Sequence, residues 1–134
     1  HKWDFNHDMV GYNYRMPNLN AALLVGQLEE LDNFISKKRK LANMYKTFFD
    51  STNYVFFKEP MDSKSNYWLN SILLENKQQR DEFLDETNSS GVMTRPIWIL
   101  MNKLPMFDCA QCGNLKNSEW LEDRVVNIPS SVIL

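Results

Sequence analysis

A regular spacing of apolar residues in the first third of the chain constrains the fold most. Apolar residues recur at positions 24, 28, 31, 35, 42, 45 and 49, in steps of three, four and seven that place them on one face of a helix. Pro17 suits a first helical turn because its fixed φ matches the helix. The pattern predicts one long helix over 17–50, preceded by a polar, aromatic loop over 1–16. A helix of that length normally has more than one neighbour.

Shorter elements are predicted over 54–134. Runs of β-branched and aromatic residues predict strands at 54–57, 67–75 and 92–94. An amphipathic helix at 77–88 has Gly91 as its C-terminal stop, and Ser118 caps a last helix that runs to about Val125. The segments at 101–114 and 129–131 are predicted to be irregular. The order predicts a single α+β domain, with a small sheet that helices cover on one face.

Charge and hydropathy exclude several classes of protein. The 15 basic and 17 acidic residues give a net charge of −2, which does not favour nucleic-acid binding. The basic run at 37–40 lies on the predicted long helix beside acidic residues, as a solvated face would. No apolar run reaches the roughly 18 residues of a membrane span, and polar residues interrupt the first residues, so no signal peptide is expected there. A cytoplasmic chain is predicted, with neither a membrane nor a nucleic acid as partner.

The inventory of catalytic groups is thin. Cys109 and Cys112 form a lone C-x-x-C without the further ligands that zinc needs, so reduced thiols and no metal site are predicted. His1 and His7 are the only histidines, and both lie in the N-terminal loop. The four glycines are isolated and form no phosphate loop. Taken alone, these residues indicate an α+β domain and little about its chemistry.

Several separated motifs carry a more specific signal. They are Gly-Tyr-Asn-Tyr-Arg-Met-Pro at 11–17, Ala-Ala at 21–22, Gln-Leu at 27–28, Ser-Asn-Tyr-Trp-Leu-Asn at 65–70, Thr-Arg-Pro-Ile-Trp at 94–98, Asn-Lys-Leu-Pro-Met-Phe at 102–107 and Asn-Ile-Pro-Ser-Ser at 127–131. In kind and order they resemble the DegT/DnrJ/EryC1/StrS aminotransferases. The 94–107 region most resembles the branch that makes 4-amino sugars of the bacillosamine and legionaminic-acid type.

The resemblance implies the aspartate aminotransferase-like fold (fold type I) and pyridoxal 5′-phosphate as cofactor. The family transfers an amino group, here expected from glutamate, to a 4-keto-6-deoxy sugar nucleotide for surface glycan synthesis. Such enzymes are homodimers. The chain is similar to their small C-terminal domain over 1–134. The family's cofactor-binding lysine precedes the 11–17 motif by several dozen residues, whereas only ten residues precede Gly11. We therefore expect the large domain to be absent and the isolated chain to be inactive.

The resemblance also implies roles for individual residues. The asparagine of the 11–17 motif, here Asn13, is expected to bind the cofactor phosphate in the neighbouring subunit. Local sequence alone favours a turn residue between aromatic neighbours, and the motif reverses that preference. Tyr12, Tyr14 and Arg15 are expected to support this loop, the subunit contact or the substrate.

Arg95 and Trp98 occupy positions where relatives often carry a His-Tyr pair near the sugar nucleotide. Arg95 is suited to bind a phosphate or carboxylate, and Trp98 to pack on a sugar or base. A strand-end arginine and a core tryptophan are the alternative. Asn102 and Lys103 are weaker candidates.

Two other functions stay open at this stage. The chain would be a non-catalytic binding or assembly module if it kept the fold without the chemistry. It would be a purely structural α+β domain if the likeness lay only in packing. With the large domain absent, apolar surface on the long helix and the loop before it is expected to be exposed and to drive self-association through residues 1–30, because large apolar patches seldom stay solvated.

Overall fold

The computed structural model describes residues 9–12 and 15–132. Within these ranges the chain forms the helices α1 (Asn18–Glu29), α2 (Leu31–Phe49), α3 (Lys77–Ser89) and α4 (Lys116–Glu122). The strands are β1 (Val55–Phe56), β2 (Asn70–Leu73), β3 (Arg95–Pro96) and β4 (Val125–Ile128). Short 3₁₀ turns occupy Met101–Lys103 and Pro105–Phe107. The predicted α+β class is confirmed, and none of the described helices is long and apolar enough to cross a bilayer.

The predicted long helix is two helices rather than one. Glu30 lies between α1 and α2 with φ −99° and ψ 2°, outside helical geometry, and its carboxylate accepts a hydrogen bond from Asn33 Nδ2 at 3.1 Å. Apolar periodicity does not detect this break, because a single residue interrupts the helix without changing the residue types around it. The two halves also differ in burial: α1 has no buried residue, whereas Ala42 and Phe49 of α2 are in the core.

The four strands form one antiparallel sheet in the order β1-β2-β4-β3. β4, an inner strand, was not predicted, because the last helix was expected to continue to Val125. That helix ends instead at Glu122, and Ser118 lies inside it rather than at its cap. The strand predicted at 92–94 is shifted to Arg95–Pro96, where Pro96 is tolerated because β3 is an edge strand.

The strand predicted at 67–75 is shortened at its start because Tyr67 has a φ of +47°, which takes the backbone out of strand geometry. After β2 the chain enters α3 through Asn76, whose Oδ1 accepts a hydrogen bond from the Gln79 amide at 2.9 Å. Gly91, with φ +78°, follows α3 as predicted.

The core lies between one face of the sheet and the helices α2 and α3. Its buried members are Ala42, Phe49, Phe56, Ile72, Leu74, Leu84, Val126 and Ile128. Ile72 and Val126 are directly paired across β2 and β4, so both point to this helix-covered face. Successive side chains alternate between faces, so Ser71 and Asn127 lie on the opposite face of the sheet.

Candidate substrate-binding site

Three polar side chains lie side by side on the face of the sheet that points away from the core. Asn127 of β4 is paired with Ser71 of β2 on one side and with Arg95 of β3 on the other. Residues directly opposite each other in neighbouring strands share a face. The Ser71 hydroxyl donates to Asn127 Oδ1 at 2.7 Å, and Arg95 is half-buried beside them. The arrangement places one cation next to neutral hydrogen-bonding groups.

Trp98 belongs to a stacked pair of indoles rather than to the core. Its ring lies 6.1 Å from that of Trp68, with an interplanar angle of 22°. Both side chains remain largely open to solvent, Trp68 at 64% and Trp98 at 55% exposure. A core tryptophan, the alternative raised by the sequence, is therefore wrong for Trp98. The pair joins the β1–β2 loop to the segment after β3.

The backbone around Trp68 is fixed by local hydrogen bonds. Tyr67 has a positive φ, and its backbone amide donates a hydrogen bond to Ser65 Oγ at 3.0 Å. The Trp68 amide donates to Asn66 Oδ1 at 3.0 Å, and the Trp68 carbonyl accepts from Lys38 Nζ at 3.2 Å. A non-glycine residue with positive φ persists only where its surroundings hold it. Trp68 is thus presented by a constrained turn.

Lys38 ties this turn to the end of β4. Its ammonium also donates to the Ser130 carbonyl at 2.7 Å, and burial lowers the pKa of the Lys38 amine. The Ser130 hydroxyl in turn accepts from the Asn70 amide at 2.7 Å. Asn70 Oδ1 is buried and has no partner among the described residues. These contacts fix the start of β2 against the end of β4, directly beside the indole pair.

A second clamp from α2 holds the same loop. The Arg39 guanidinium donates to both carboxylate oxygens of Glu59, at 3.0 and 2.7 Å, and to the Ser65 carbonyl at 2.6 Å. The Ser65 backbone amide donates a hydrogen bond to Glu59 Oε2 at 2.7 Å. The bond from Arg39 and that backbone bond lower the pKa of Glu59 to about 2. Bidentate pairs of this kind fix geometry as well as charge.

The segment after Trp98 is held by an acidic side chain of α4. Glu122 accepts a hydrogen bond from the Leu100 amide at 3.1 Å and forms an ion pair with Lys103. The Glu122 contact raises the pKa of Lys103. The ammonium of Lys103 therefore fixes this segment. Asn102, also half-buried, has an Oδ1 with no partner in the described part of the chain.

The candidates of the 11–17 motif are only partly described. Asn13 and Tyr14 lie outside the described residues. Tyr12 and Arg15 are exposed, shortly before α1 begins. Their proposed roles stay predictions.

Three residues of the site were not predicted as candidates. Strand register places Ser71 and Asn127 beside Arg95, and ring stacking places Trp68 against Trp98. Trp68 and Asn127 do lie inside motifs that carry the family resemblance, at 65–70 and 127–131. The family resemblance indicated these two segments, but the spacing of apolar residues gave no reason to select Trp68 or Asn127 within them.

Metal-ligating groups do not gather in the described structure. Cys109 and Cys112 are both exposed and unpaired with each other. Across residues 9–12 and 15–132, no group of three or more His, Cys, Asp or Glu side chains is arranged to hold a metal ion.

Comparison with known proteins extends the resemblance. The model of the DegT/DnrJ/EryC1/StrS aminotransferase family matches residues 1–134. A GDP-perosamine synthase of Escherichia coli O157:H7 is 37% identical over 124 residues, which are 92% of this chain and 34% of the relative. The UDP-4-amino-4,6-dideoxy-N-acetyl-beta-L-altrosamine transaminase of Campylobacter jejuni (serotype O:2) is 32% identical over 93 residues, 67% of this chain and 25% of the relative.

Solved structures show the same fold. PseC of Helicobacter pylori, an aminotransferase involved in the biosynthesis of pseudoaminic acid, superposes with a TM-score of 0.77 at 17% identity, over 91% of this chain and 34% of that one. The GDP-4-keto-6-deoxy-D-mannose-3-dehydratase of E. coli, solved with bound hydrated PLP, gives 0.74 at 23% identity, over 93% and 34%. The chain spans about a third of the length of the curated relatives it matches. It belongs to the DegT/DnrJ/EryC1/StrS aminotransferase family.

Proposed function

We propose that this chain is the C-terminal part of a pyridoxal-phosphate-dependent aminotransferase that acts on a 4-keto-6-deoxy sugar nucleotide. The match of the family model to residues 1–134 carries the proposal. Relatives named as GDP-perosamine synthases and as a UDP-linked altrosamine transaminase point to nucleotide-linked amino sugars. We place the enzyme in the cytoplasm, as a homodimer, with glutamate as the amino donor.

The described residues do not make a cofactor site by themselves. When bound, pyridoxal phosphate stabilises the carbanion that forms at the carbon bearing the amino group. A lysine anchor needs an amine that is free to react. Burial lowers the pKa of Lys38, as such an amine requires, but Lys38 donates to the carbonyls of Trp68 and Ser130. Lys103 is committed to Glu122. Because the resemblance places the anchor lysine several dozen residues before the 11–17 motif, we assign the anchor to the rest of the enzyme.

The contribution of this chain is binding and orientation. Arg95, beside Asn127 and Ser71, supplies a guanidinium suited to the diphosphate that joins a sugar to its nucleoside. Asn13 is proposed to donate to the cofactor phosphate of the neighbouring subunit, because an amide binds phosphate without adding charge. Binding energy from such non-reacting parts of the substrate positions the keto sugar for the reaction.

A transaminase assay tests this function at two lengths of the protein. The 134-residue chain, supplied with pyridoxal phosphate, glutamate and GDP- or UDP-linked 4-keto-6-deoxy sugars, is expected to show no turnover. The longer enzyme that contains this chain is expected to form the 4-amino sugar. Robust turnover by the 134-residue chain would overturn the assignment of the catalytic lysine to the rest of the enzyme. An inactive longer enzyme would favour a non-catalytic module.

Asn13 gives a test of the cofactor contact. Asn13→Ala in the longer enzyme is expected to lower the amount of pyridoxal phosphate retained after dialysis, measured by its absorbance. Asn18→Ala, at the start of α1, is the matched control. Equal retention by both variants would assign Asn13 to a turn instead.

A further inference from the structure

The Trp68–Trp98 pair is an unusual feature for the surface of a small domain. The two rings are close to parallel, at 22°, and each keeps more than half of its surface open. Isolated exposed aromatic residues are common on protein surfaces, whereas each indole of a stacked pair is supported by the other and leaves its outer face open. Their centroids are 6.1 Å apart, which is within the range of two aromatic rings packed directly on each other and leaves no space for a third ring between them. A ligand would therefore stack on the outside of the pair.

The pair is also more rigidly supported than its exposure suggests. Trp68 follows a residue with positive φ, and Lys38 holds its carbonyl. The Arg39–Glu59 clamp fixes the preceding residues of the loop. On the other side, Glu122 holds the Leu100 amide just after Trp98. Because both ring-bearing segments are fixed from helices, the open outer ring faces are in place before any ligand arrives, which reduces the entropy lost on binding.

We infer that Trp68 and Trp98 form a stacking platform for the nucleobase of the sugar nucleotide. The inference rests on the proposed function, since that function brings a nucleotide to the domain. The reacting sugar has to reach the cofactor, whose anchor we place outside the described residues. The platform is therefore suited to a non-reacting part of the substrate. Arg95 lies three residues before Trp98, and its guanidinium is suited to the diphosphate that connects base and sugar.

Stacking on the indole pair would allow the domain to bind sugar nucleotides that carry different bases. Every base has a π face, so stacking on aromatic side chains tolerates different bases. This platform would accept guanine or uracil, and hydrogen bonds from elsewhere would choose between them. Trp68 is thus proposed as a binding residue in addition to the predicted Trp98.

Nucleotide binding by the 134-residue chain tests the platform directly. Calorimetric titration is carried out with GDP, UDP and inorganic pyrophosphate. We expect GDP and UDP to bind more tightly than pyrophosphate, and Trp68→Ala and Trp98→Ala each to weaken nucleotide binding about tenfold without changing pyrophosphate binding. Trp120→Ala is the matched control, since Trp120 is also exposed but packs on Arg124 instead. Circular dichroism checks that each variant is folded.

Each outcome bears on the platform. Absence of GDP and UDP binding by the folded chain would overturn it, as would equal affinity in the Trp68, Trp98 and Trp120 variants. In the longer enzyme, Trp68→Ala is expected to raise KM for the sugar nucleotide while kcat is retained. An active enzyme with an unchanged KM would overturn the platform but leave the proposed function intact. Nucleotide binding that depends on Trp68 and Trp98, in a longer enzyme without transaminase activity, would support the platform and overturn the proposed function.

Discussion

Glu59 shows how a single ion pair organises the loop that carries Trp68. Its carboxylate receives two bonds from Arg39 and one from the Ser65 amide, and these contacts require the ionised form. They link α2 to a stretch that contains no regular secondary structure. The pair therefore fixes loop geometry more than it contributes to general stability, because partly exposed ion pairs are worth little on their own.

The lowered pKa of Glu59 predicts a specific pH dependence. Its folded-state pKa is about 2, against an ordinary value of 4.5. A depressed carboxylate pKa contributes stability that is present above pH 4.5 and is lost as the pH falls from there through about 2. We expect Glu59→Gln to unfold at lower urea concentration than the parent at pH 7 and to show a shallower loss of stability in that acid range. The measurement is the urea midpoint at a series of pH values.

Glu75→Gln serves as the control for that experiment. Glu75 is exposed and lies outside the clamp. If the urea midpoint of Glu59→Gln fell between pH 4.5 and 2 as steeply as that of the parent, the ion pair of Arg39 and Glu59 would not be coupled to folding.

Elements of this chain end where particular residues allow the backbone to turn. Gly91 follows α3 with φ +78°, a left-handed conformation that residues with a Cβ rarely adopt. The turn after it is fixed by the Val92 amide, which donates to the Thr87 carbonyl at 2.8 Å, and by Asn88 Nδ2, which donates to the Thr94 carbonyl at 3.1 Å. This cap directs the chain into β3 and so determines the position of Arg95.

Gly91→Ala is expected to destabilise the domain through this backbone strain. No atom lies within 4 Å of the added Cβ, so steric overlap is not the cause. The free energy of unfolding should fall by about 1 kcal/mol, the cost of placing a Cβ in the left-handed region. Gly113→Ala, where a Cβ also meets open space, should leave it nearly unchanged. Equal urea midpoints for the two variants would contradict the assigned strain.

At the scale of the whole molecule, residues 9–12 and 15–132 share one core between the sheet and two helices. Ile72 is fully buried at the centre of β2, where it is paired with Val126 of β4. Because β4 is an inner strand, loss of packing there affects both of its neighbours. The core and the candidate site occupy opposite faces of the same strands, so the stability of the sheet also maintains the register of Ser71, Asn127 and Arg95.

Ile72→Ala should therefore lower the free energy of unfolding by about 2–5 kcal/mol, as expected for a large buried side chain that leaves a cavity. Val55→Ala, on the exposed side of edge strand β1, should cost far less. Thermal unfolding followed by circular dichroism compares the two. Comparable losses would mean that the core is not centred on β2 and β4.

α1 leaves the molecule with a large apolar surface. None of its residues is buried, and Leu19, Leu23, Val25 and Leu28 are each more than half exposed. No charged residue lies between Arg15 and Glu29. A helix that is apolar all round is normally buried by other protein. We expect the 134-residue chain to self-associate through this helix, since two uncharged faces meet without repulsion.

Sedimentation tests the self-association. The double substitution Leu19→Asp and Leu23→Asp should shift the 134-residue chain towards monomer, because the carboxylates would have to be desolvated in the contact. Met61→Asp, in an exposed loop at 90% exposure, should have no effect. A parent chain that sediments only as monomer would contradict the prediction.

Much of the architecture followed from local sequence. The spacing of apolar residues predicted α2 and α3, and the α+β class followed from the order of elements, because each pattern reflects the period of its own element. Gly91 was identified as a stop for α3 because few other residues adopt positive φ. The motifs at 11–17 and 94–98 indicated the family that the whole-chain comparison confirms.

Tertiary structure decided the remaining features. β4 was missed because the segment from Val125 to Ile128 gains its stability from neighbours on both sides, which a local pattern does not record. The break at Glu30 leaves the residue types around it unchanged. Trp68 and Trp98, 30 residues apart in sequence, meet only because the tertiary fold brings the β1–β2 loop next to the segment after β3. Local sequence thus determined which residues are apolar, rigid or reactive, and long-range packing determined which of them lie together.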